Sequence, residues 1–235
     1  MASVVVITLV FGDSGFGFKL GNLLVHLACG LVGYALLRRA LRLDARLAPH
    51  AGLLAALVAA IWLLHPLHVS TVLYAVQRMA QLSALFTLVG VWVFLVARQQ
   101  LATGRTRAAQ FNLFVSFPVL AVLGVLSKQN AAVAPAICLA LELAYFGKNT
   151  RPGATVRNFF TVFMALPAIA VAGILLLAPR ILLATYDDWD FTLAERLLTQ
   201  PRALVDYMGM ILFPRGPQMG MYTDDFVVSH GLLSP

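Results

Sequence analysis

Val69-Ser70-Thr71-Val72-Leu73-Tyr74-Ala75-Val76-Gln77-Arg78-Met79-Ala80-Gln81-Leu82-Ser83 opens a 29-residue apolar tract, residues 69–97, in which Arg78 is set among glutamines. At 1.5 Å per residue a straight helix over that tract would be about 44 Å long, more than the roughly 30 Å hydrocarbon core of a bilayer. Something must break or tilt it. The tract predicts a short helix through Tyr74–Gln81 in an outer vestibule, then a span from about Leu82 to Ala97. Tyr74, Gln77, Arg78 and Gln81 fall on one helical face, a polar patch that lipid does not tolerate. A charge at bilayer depth costs roughly 2.5–3.5 kcal/mol on insertion scales, so it faces a bundle interior or a watery cavity. Arg78 is therefore a functional-site candidate. Its competing role is to pair with a carboxylate and hold two helices together.

Working outward, five more apolar stretches read as spans: Phe16–Leu37, Pro49–His65, Ala108–Leu126, Ala131–Phe146 and Val156–Ala178. In the first, Asn22, His26 and Gly30 recur at helical spacing as a polar and small stripe of the kind that packs against other helices. Pro118, Pro135 and Pro167 each interrupt a span, freeing backbone carbonyls that neighbouring helices must satisfy. The stretch Met1–Phe11 is too short to span and lacks a basic leader, and reads as a short buried or interfacial helix. After Pro179 the chain is less hydrophobic. Thr192 and Glu195 carry a capping-box signature, and Leu193, Leu197, Leu204, Met208 and Leu212 recur near helical spacing. That pattern predicts an amphipathic pair on the outer membrane surface, kinked or restarted at Pro201. The expected architecture is an all-α polytopic transmembrane bundle of about six spans (residues 1–178) with an outer amphipathic segment (residues 179–235).

Composition agrees. The chain is 60% hydrophobic and only 11% charged, with a mean hydropathy of +0.85. A soluble domain does not need so much apolar surface. The net charge of +7 does not point to nucleic acid, because ten of the basic residues sit in three short loops. These are Arg38, Arg39, Arg42 and Arg46; Arg98, Arg105 and Arg107; and Lys148, Arg151 and Arg157. The loops alternate with apolar spans so that all three lie on one side, the positive-inside pattern. Cys29 and Cys138 both fall inside apolar spans and form neither a disulfide framework nor a metal site.

Under that topology the other polar groups gather at the opposite, outer face: His65, His68, Tyr74, Gln77, Arg78, Lys128, Gln129, Asp187, Asp188, Asp190, Asp224 and Asp225. A pocket with an arginine and a lysine suits a phosphate, which guanidinium binds bidentately and ammonium as a point charge. The candidate phosphate-binding residues are Arg78, Lys128, His65, His68, Gln77 and Gln129. Asp187 and Asp188 are the candidate catalytic carboxylates, which could serve as general base or hold a divalent cation. The bland alternatives stay open: His65 and His68 as helix-exit caps, Lys128 snorkelling to headgroups, Asp187 to Asp190 as a solvated turn. Pro66 denies the two histidines the spacing of a zinc pair. No Walker loop, nucleophile elbow or zinc signature occurs.

Several stretches resemble a family of multi-span proteins that usually carry a tail of tetratricopeptide repeats. Phe16-Gly-Phe-Lys-Leu-Gly-Asn-Leu-Leu-Val-His26 is similar to that family's PFGFHLxNLLLH run. His65-Pro-Leu-His68, continuing to Arg78, resembles its HPxxxxxVxxxxxR stretch, as it occurs in bacterial members. Leu126-Ser-Lys128-Gln129 resembles its LxKE turn, and Leu197 to Tyr207, Leu212-Phe-Pro214 and Ser229 to Pro235 resemble its outer amphipathic segment. The ordered matches cover about residues 11–235. Animal members are O-mannosyltransferases of the C-type glycosyltransferase class. The resemblance thus implies a glycosyltransferase module in the cell inner membrane, using a polyprenyl-phosphate sugar at the periplasmic face, with a protein as acceptor. His65, Arg78 and Lys128 match the family's outer-face polar residues. Two neighbourhoods depart from the acidic animal pattern, Val69-Ser70-Thr71 and Met79-Ala80, and Gln129 replaces a glutamate. The family's first span and acidic loop have no counterpart before Met1, and no repeats follow Pro235. The expectation is the central membrane portion of a larger protein. A non-enzymatic scaffold, favoured by the missing carboxylates, and a transporter of lipid-linked conjugates, prompted by the proline-interrupted spans, are the competing readings.

Overall fold

The 69–97 tract breaks at Tyr74, whose backbone is extended (φ −88°, ψ 125°). The computed structural model describes residues 15–146, 153–178, 180, 191–214 and 227–231, and the regular elements among them are helices. We number them α1 (Gly15–Leu41), α2 (Ala51–Leu63), α3 (His68–Leu73), α4 (Arg78–Ala102), α5 (Thr106–Ser127), α6 (Gln129–Phe146), α7 (Ala154–Leu177) and α8 (Leu193–Leu212). Among the described residues α1, α4, α5, α6 and α7 are long and apolar enough to cross a membrane. The chain is an all-α, multi-pass membrane protein. The second expected span is the shorter apolar helix Ala48–Leu63, which α2 forms with its leading 3-10 turn.

The break falls earlier than the apolar pattern suggests. No helix runs through Tyr74–Gln81. Instead α3 stops at Leu73, a 3-10 turn covers Ala75–Gln77, and Arg78 opens the spanning helix α4 itself. Hydropathy locates a helix that is too long but not the residue at which it gives way.

The prolines also act locally. The ring of a helical proline clashes with the carbonyl four residues earlier. Pro118 and Pro167 each follow a five-residue π turn, Asn112–Ser116 and Thr161–Ala165, which widens the helix where that carbonyl lies. Pro135 follows a 3-10 turn, Gln129–Val133. The helices thus adjust their own winding at the positions where neighbouring helices were expected to supply donors.

The chain forms two compact units, Met1–Met164 and Ala165–Pro235. In the first unit α1 and α4 run parallel. Near their N-terminal ends Arg78 Nε donates to Asn22 Oδ1 (2.9 Å), and near their C-terminal ends Arg39 Nε donates to Gln99 Oε1 (2.7 Å). The first two basic loops therefore sit at one end of the bundle. Helix α2 returns along α1 through a stripe of small buried residues, Ala51, Ala55 and Ala59. Close approach is obligatory at Gly30, where a Cβ would lie 2.6 Å from the Leu63 side chain. Gly104, at φ +77°, makes the tight link from α4 to α5, a conformation that other residues reach only with strain. The apolar core lies among α4, α5, α6 and α7, where Phe159 meets Phe117 edge-on at 4.8 Å and Phe94 at 5.3 Å.

In the second unit the capping box forms as expected: Glu195 N–H donates to Thr192 Oγ1 and Thr192 N–H to Glu195 Oε2. The Thr192 amide, then the His230 and Thr192 side chains, hold the Glu195 carboxyl down to about 2. Helix α8 runs unbroken through Pro201, one helix rather than a pair. Its polar face grips residues 229 and 230: Arg202 donates to Ser229 Oγ (2.6 Å), the Ser229 amide to Thr199 Oγ1 (2.9 Å), and His230 meets Glu195 at 2.7 Å. Leu197, Leu204, Met208 and Leu212 stay exposed along the opposite face.

Candidate functional site

A helix that breaks inside a membrane protein leaves carbonyls without intrahelical donors, and each needs a replacement. Around the break at Tyr74 two polar side chains provide them. Asn22, fully buried on α1, donates through Nδ2 to the carbonyls of Val72 (3.1 Å) and Tyr74 (2.6 Å). Gln81, one turn into α4, donates through Nε2 to the Thr71 carbonyl (3.2 Å). Arg78 completes the layer. Only 2% of it is exposed, and it bonds Asn22 Oδ1 and the Phe18 carbonyl (2.7 Å) while its guanidinium lies 5.6 Å from the Phe18 ring. These bonds tie α1 to the start of α4 across the broken segment.

Beside this layer four rings stack. Trp62 lies 5.0 Å from His26 and 4.5 Å from His68, and His65 meets His68 edge-on at 6.5 Å. His26 Nε2 faces the Leu63 carbonyl at 3.0 Å, so that nitrogen carries the proton. His65 Nδ1 accepts the Leu67 amide (3.3 Å) and so shapes the turn into α3. Burial, then the neighbouring His26 and His65, lower His68 from 6.5 to about 4. His68 is thus a neutral ring near pH 7, able to offer a phosphate a hydrogen bond but no charge. Among the described residues no group of three or more His, Cys, Asp or Glu side chains is arranged to hold a metal ion.

Lys128 occupies a second break at the same end of the bundle. It is extended (φ −162°, ψ 136°) between the last turn of α5 and the first of α6. Its carbonyl accepts the hydroxyl of Ser83 (3.0 Å), five residues along α4 from Arg78. At 3.6 residues per turn Arg78 and Ser83 point about 140° apart around α4. The structure therefore brings Arg78 and Lys128 to one end but sets them on different flanks, Arg78 towards α1 and Lys128 towards α5 and α6. Lys128 and Gln77 are half-buried, and Gln129 is exposed. Asp187 and Asp188, with Asp190, Asp224, Asp225 and the expected N-terminal helix, lie outside the described residues.

Three groups escape a reading of the sequence for sites. Asn22 is visible there only as part of a packing stripe. Ser83 carries no pattern at all. The third is a bidentate ion pair at the other end of α4, where Arg98 donates to Glu142 at 2.6 and 2.9 Å and lies 4.5 Å from the Phe146 ring. Glu142 was a usable signal, being a carboxylate inside an apolar span that needs a partner. Arg98, grouped by sequence with the loop cations, is instead committed to it.

No protein-family model, curated protein or solved structure matches the chain.

Proposed function

We propose that this chain is a membrane-embedded, glycosyltransferase-like module of a bacterial inner membrane that takes a polyprenyl-phosphate-linked sugar at its periplasmic face. The observation that carries this reading is Lys128. A cation stands at a helix break, fixed at its carbonyl by Ser83, at the end of the bundle away from the first two basic loops. An ammonium binds phosphate as a point charge on a flexible stem, so a rooted lysine at the rim suits the headgroup of a lipid phosphate. In this reading Arg78 is a positioning residue, because its guanidinium is enclosed by α1. Asp187 and Asp188 remain the candidate bases for an acceptor hydroxyl.

A photoreactive polyprenyl phosphate, incorporated in nanodiscs with the full chain, tests the proposal. Adducts should concentrate within a few residues of Lys128 and be competed by unlabelled polyprenyl phosphate. Labelling spread evenly over the exposed apolar faces, with no competition, would sink it. The enclosure of Arg78 favours a second reading, a scaffold in which this polar layer serves architecture alone. That reading gains if the competition is absent.

A further inference from the structure

We infer that Ser83 and Gly124 are positioning residues for Lys128, fixing the root of its side chain so that its ammonium meets a lipid-borne phosphate. The phosphate half of this inference rests on the function proposed above; the positioning half stands on geometry alone.

Extended Lys128 ends one helix and opens the next, and its backbone keeps the terminal bond of each. Its amide donates to the Gly124 carbonyl (2.9 Å), and its carbonyl accepts from the Ala131 amide (3.2 Å) and from Ser83 Oγ (3.0 Å). Ser83 is the partner that comes from another helix, and it is 2% exposed. A buried hydroxyl without a partner is costly, so its bond to Lys128 settles both groups at once.

Gly124 acts on the same residue through space. A Cβ there would stand 2.7 Å from Ala131 Cβ and 3.5 Å from Phe86 Cβ. Only with glycine can the first turn of α6 fold back this closely on α5. Ala131 is itself buried, so it has little room to retreat. Glycine at 124 sets how tightly the chain reverses, and Ser83 sets where on α4 the reversal docks. Between them they fix the root of the Lys128 side chain.

The test uses the full chain in lipid nanodiscs and reads two quantities. One is the pH profile of Lys128 acylation by an amine-reactive ester, followed peptide by peptide by mass spectrometry. The other is the affinity for a short-chain polyprenyl phosphate. Ser83→Ala should change the Lys128 acylation rate and weaken binding by roughly threefold to tenfold, within the coupling range for contacting groups. Ser83→Thr, which keeps the hydroxyl, should restore both. Ser83→Ala combined with Lys128→Met should bind no worse than Lys128→Met alone. Should Ser83→Ala not fold, Gly124→Ala is read the same way and should shift the same acylation profile. A Lys128 profile indifferent to the variant that folds, or binding losses that simply add, would overturn the positioning role. If the acylation profile shifts while wild-type protein binds no polyprenyl phosphate, positioning stands and the lipid-phosphate reading falls.

Discussion

Helix α4 carries an arginine near each end, and the two are held in different ways. Arg98 forms a two-pronged bond with Glu142, a side-chain pair closed on itself. Arg78 belongs to a layer of side chains that serve backbone: its described bonds run to Asn22 Oδ1 and the Phe18 carbonyl, and Asn22 in turn serves the carbonyls of Val72 and Tyr74. The difference concerns what can be replaced. A buried ion pair can be exchanged as a pair for apolar residues of similar volume, often without loss. A broken backbone cannot be exchanged, because its carbonyls remain whatever side chain stands opposite.

The largest effect is expected at the Arg98 end. Glu142→Ala leaves a largely buried guanidinium without its carboxylate and should cost about 3 kcal/mol or more, read as thermal unfolding in detergent. Arg98→Met with Glu142→Leu should recover most of that loss. A double variant as unstable as the single one would show that the pair does more than neutralise itself.

At the Arg78 end the corresponding rescue should fail. Asn22→Ala strips a donor from the Val72 carbonyl, while the Tyr74 carbonyl keeps the Gln77 amide and Arg78 keeps the Phe18 carbonyl, so the expected cost is about 1–3 kcal/mol, that of one buried group left unsatisfied. Asn22→Leu fills the volume but supplies no donor, so it should melt no higher than Asn22→Ala. If leucine restored the wild-type melting temperature, the broken carbonyls would be satisfied from elsewhere and the contrast between the two ends would dissolve.

A smaller effect concerns pH at the ring stack. The folded value of His68, about 4, lies below its ordinary 6.5 because the site is desolvated and flanked by His26 and His65. Its contribution is therefore fully present above pH 6.5 and is lost as pH falls through about 4. His68→Phe should flatten the decline in melting temperature across that window. An unchanged slope would mean that His68 protonates without disturbing the stack.

The sequence discloses much of the fold because apolar length is a direct physical demand of the bilayer. The five long helices begin and end within a few residues of where hydropathy places them, and the capping box at Thr192 and Glu195 is legible from two residues. What hydropathy cannot show is where an overlong helix yields. Tyr74 is an ordinary residue for a helix, and its extended backbone depends on donors from Asn22 and Gln81, one of them more than 50 residues away. The same limit applies to the site. Arg78 and Lys128 stand out as charges in apolar surroundings, yet their facing depends on the rotation of α4, which composition does not carry. Ser83 is invisible until the carbonyl it serves is located, and Arg98 cannot be told from a loop cation until Glu142 is found beside it.

The central claim is that the cation reaching a lipid phosphate is Lys128, while Arg78 holds the bundle together. Polyprenyl-phosphate binding by Lys128→Met in nanodiscs, with the melting temperature measured on the same sample, tests it most directly. The account predicts binding reduced at least roughly tenfold, the loss of one charge-assisted contact, with melting within about 1 kcal/mol of wild type, as befits a half-buried side chain outside the apolar core. Undiminished binding by a fully folded Lys128→Met protein would contradict it.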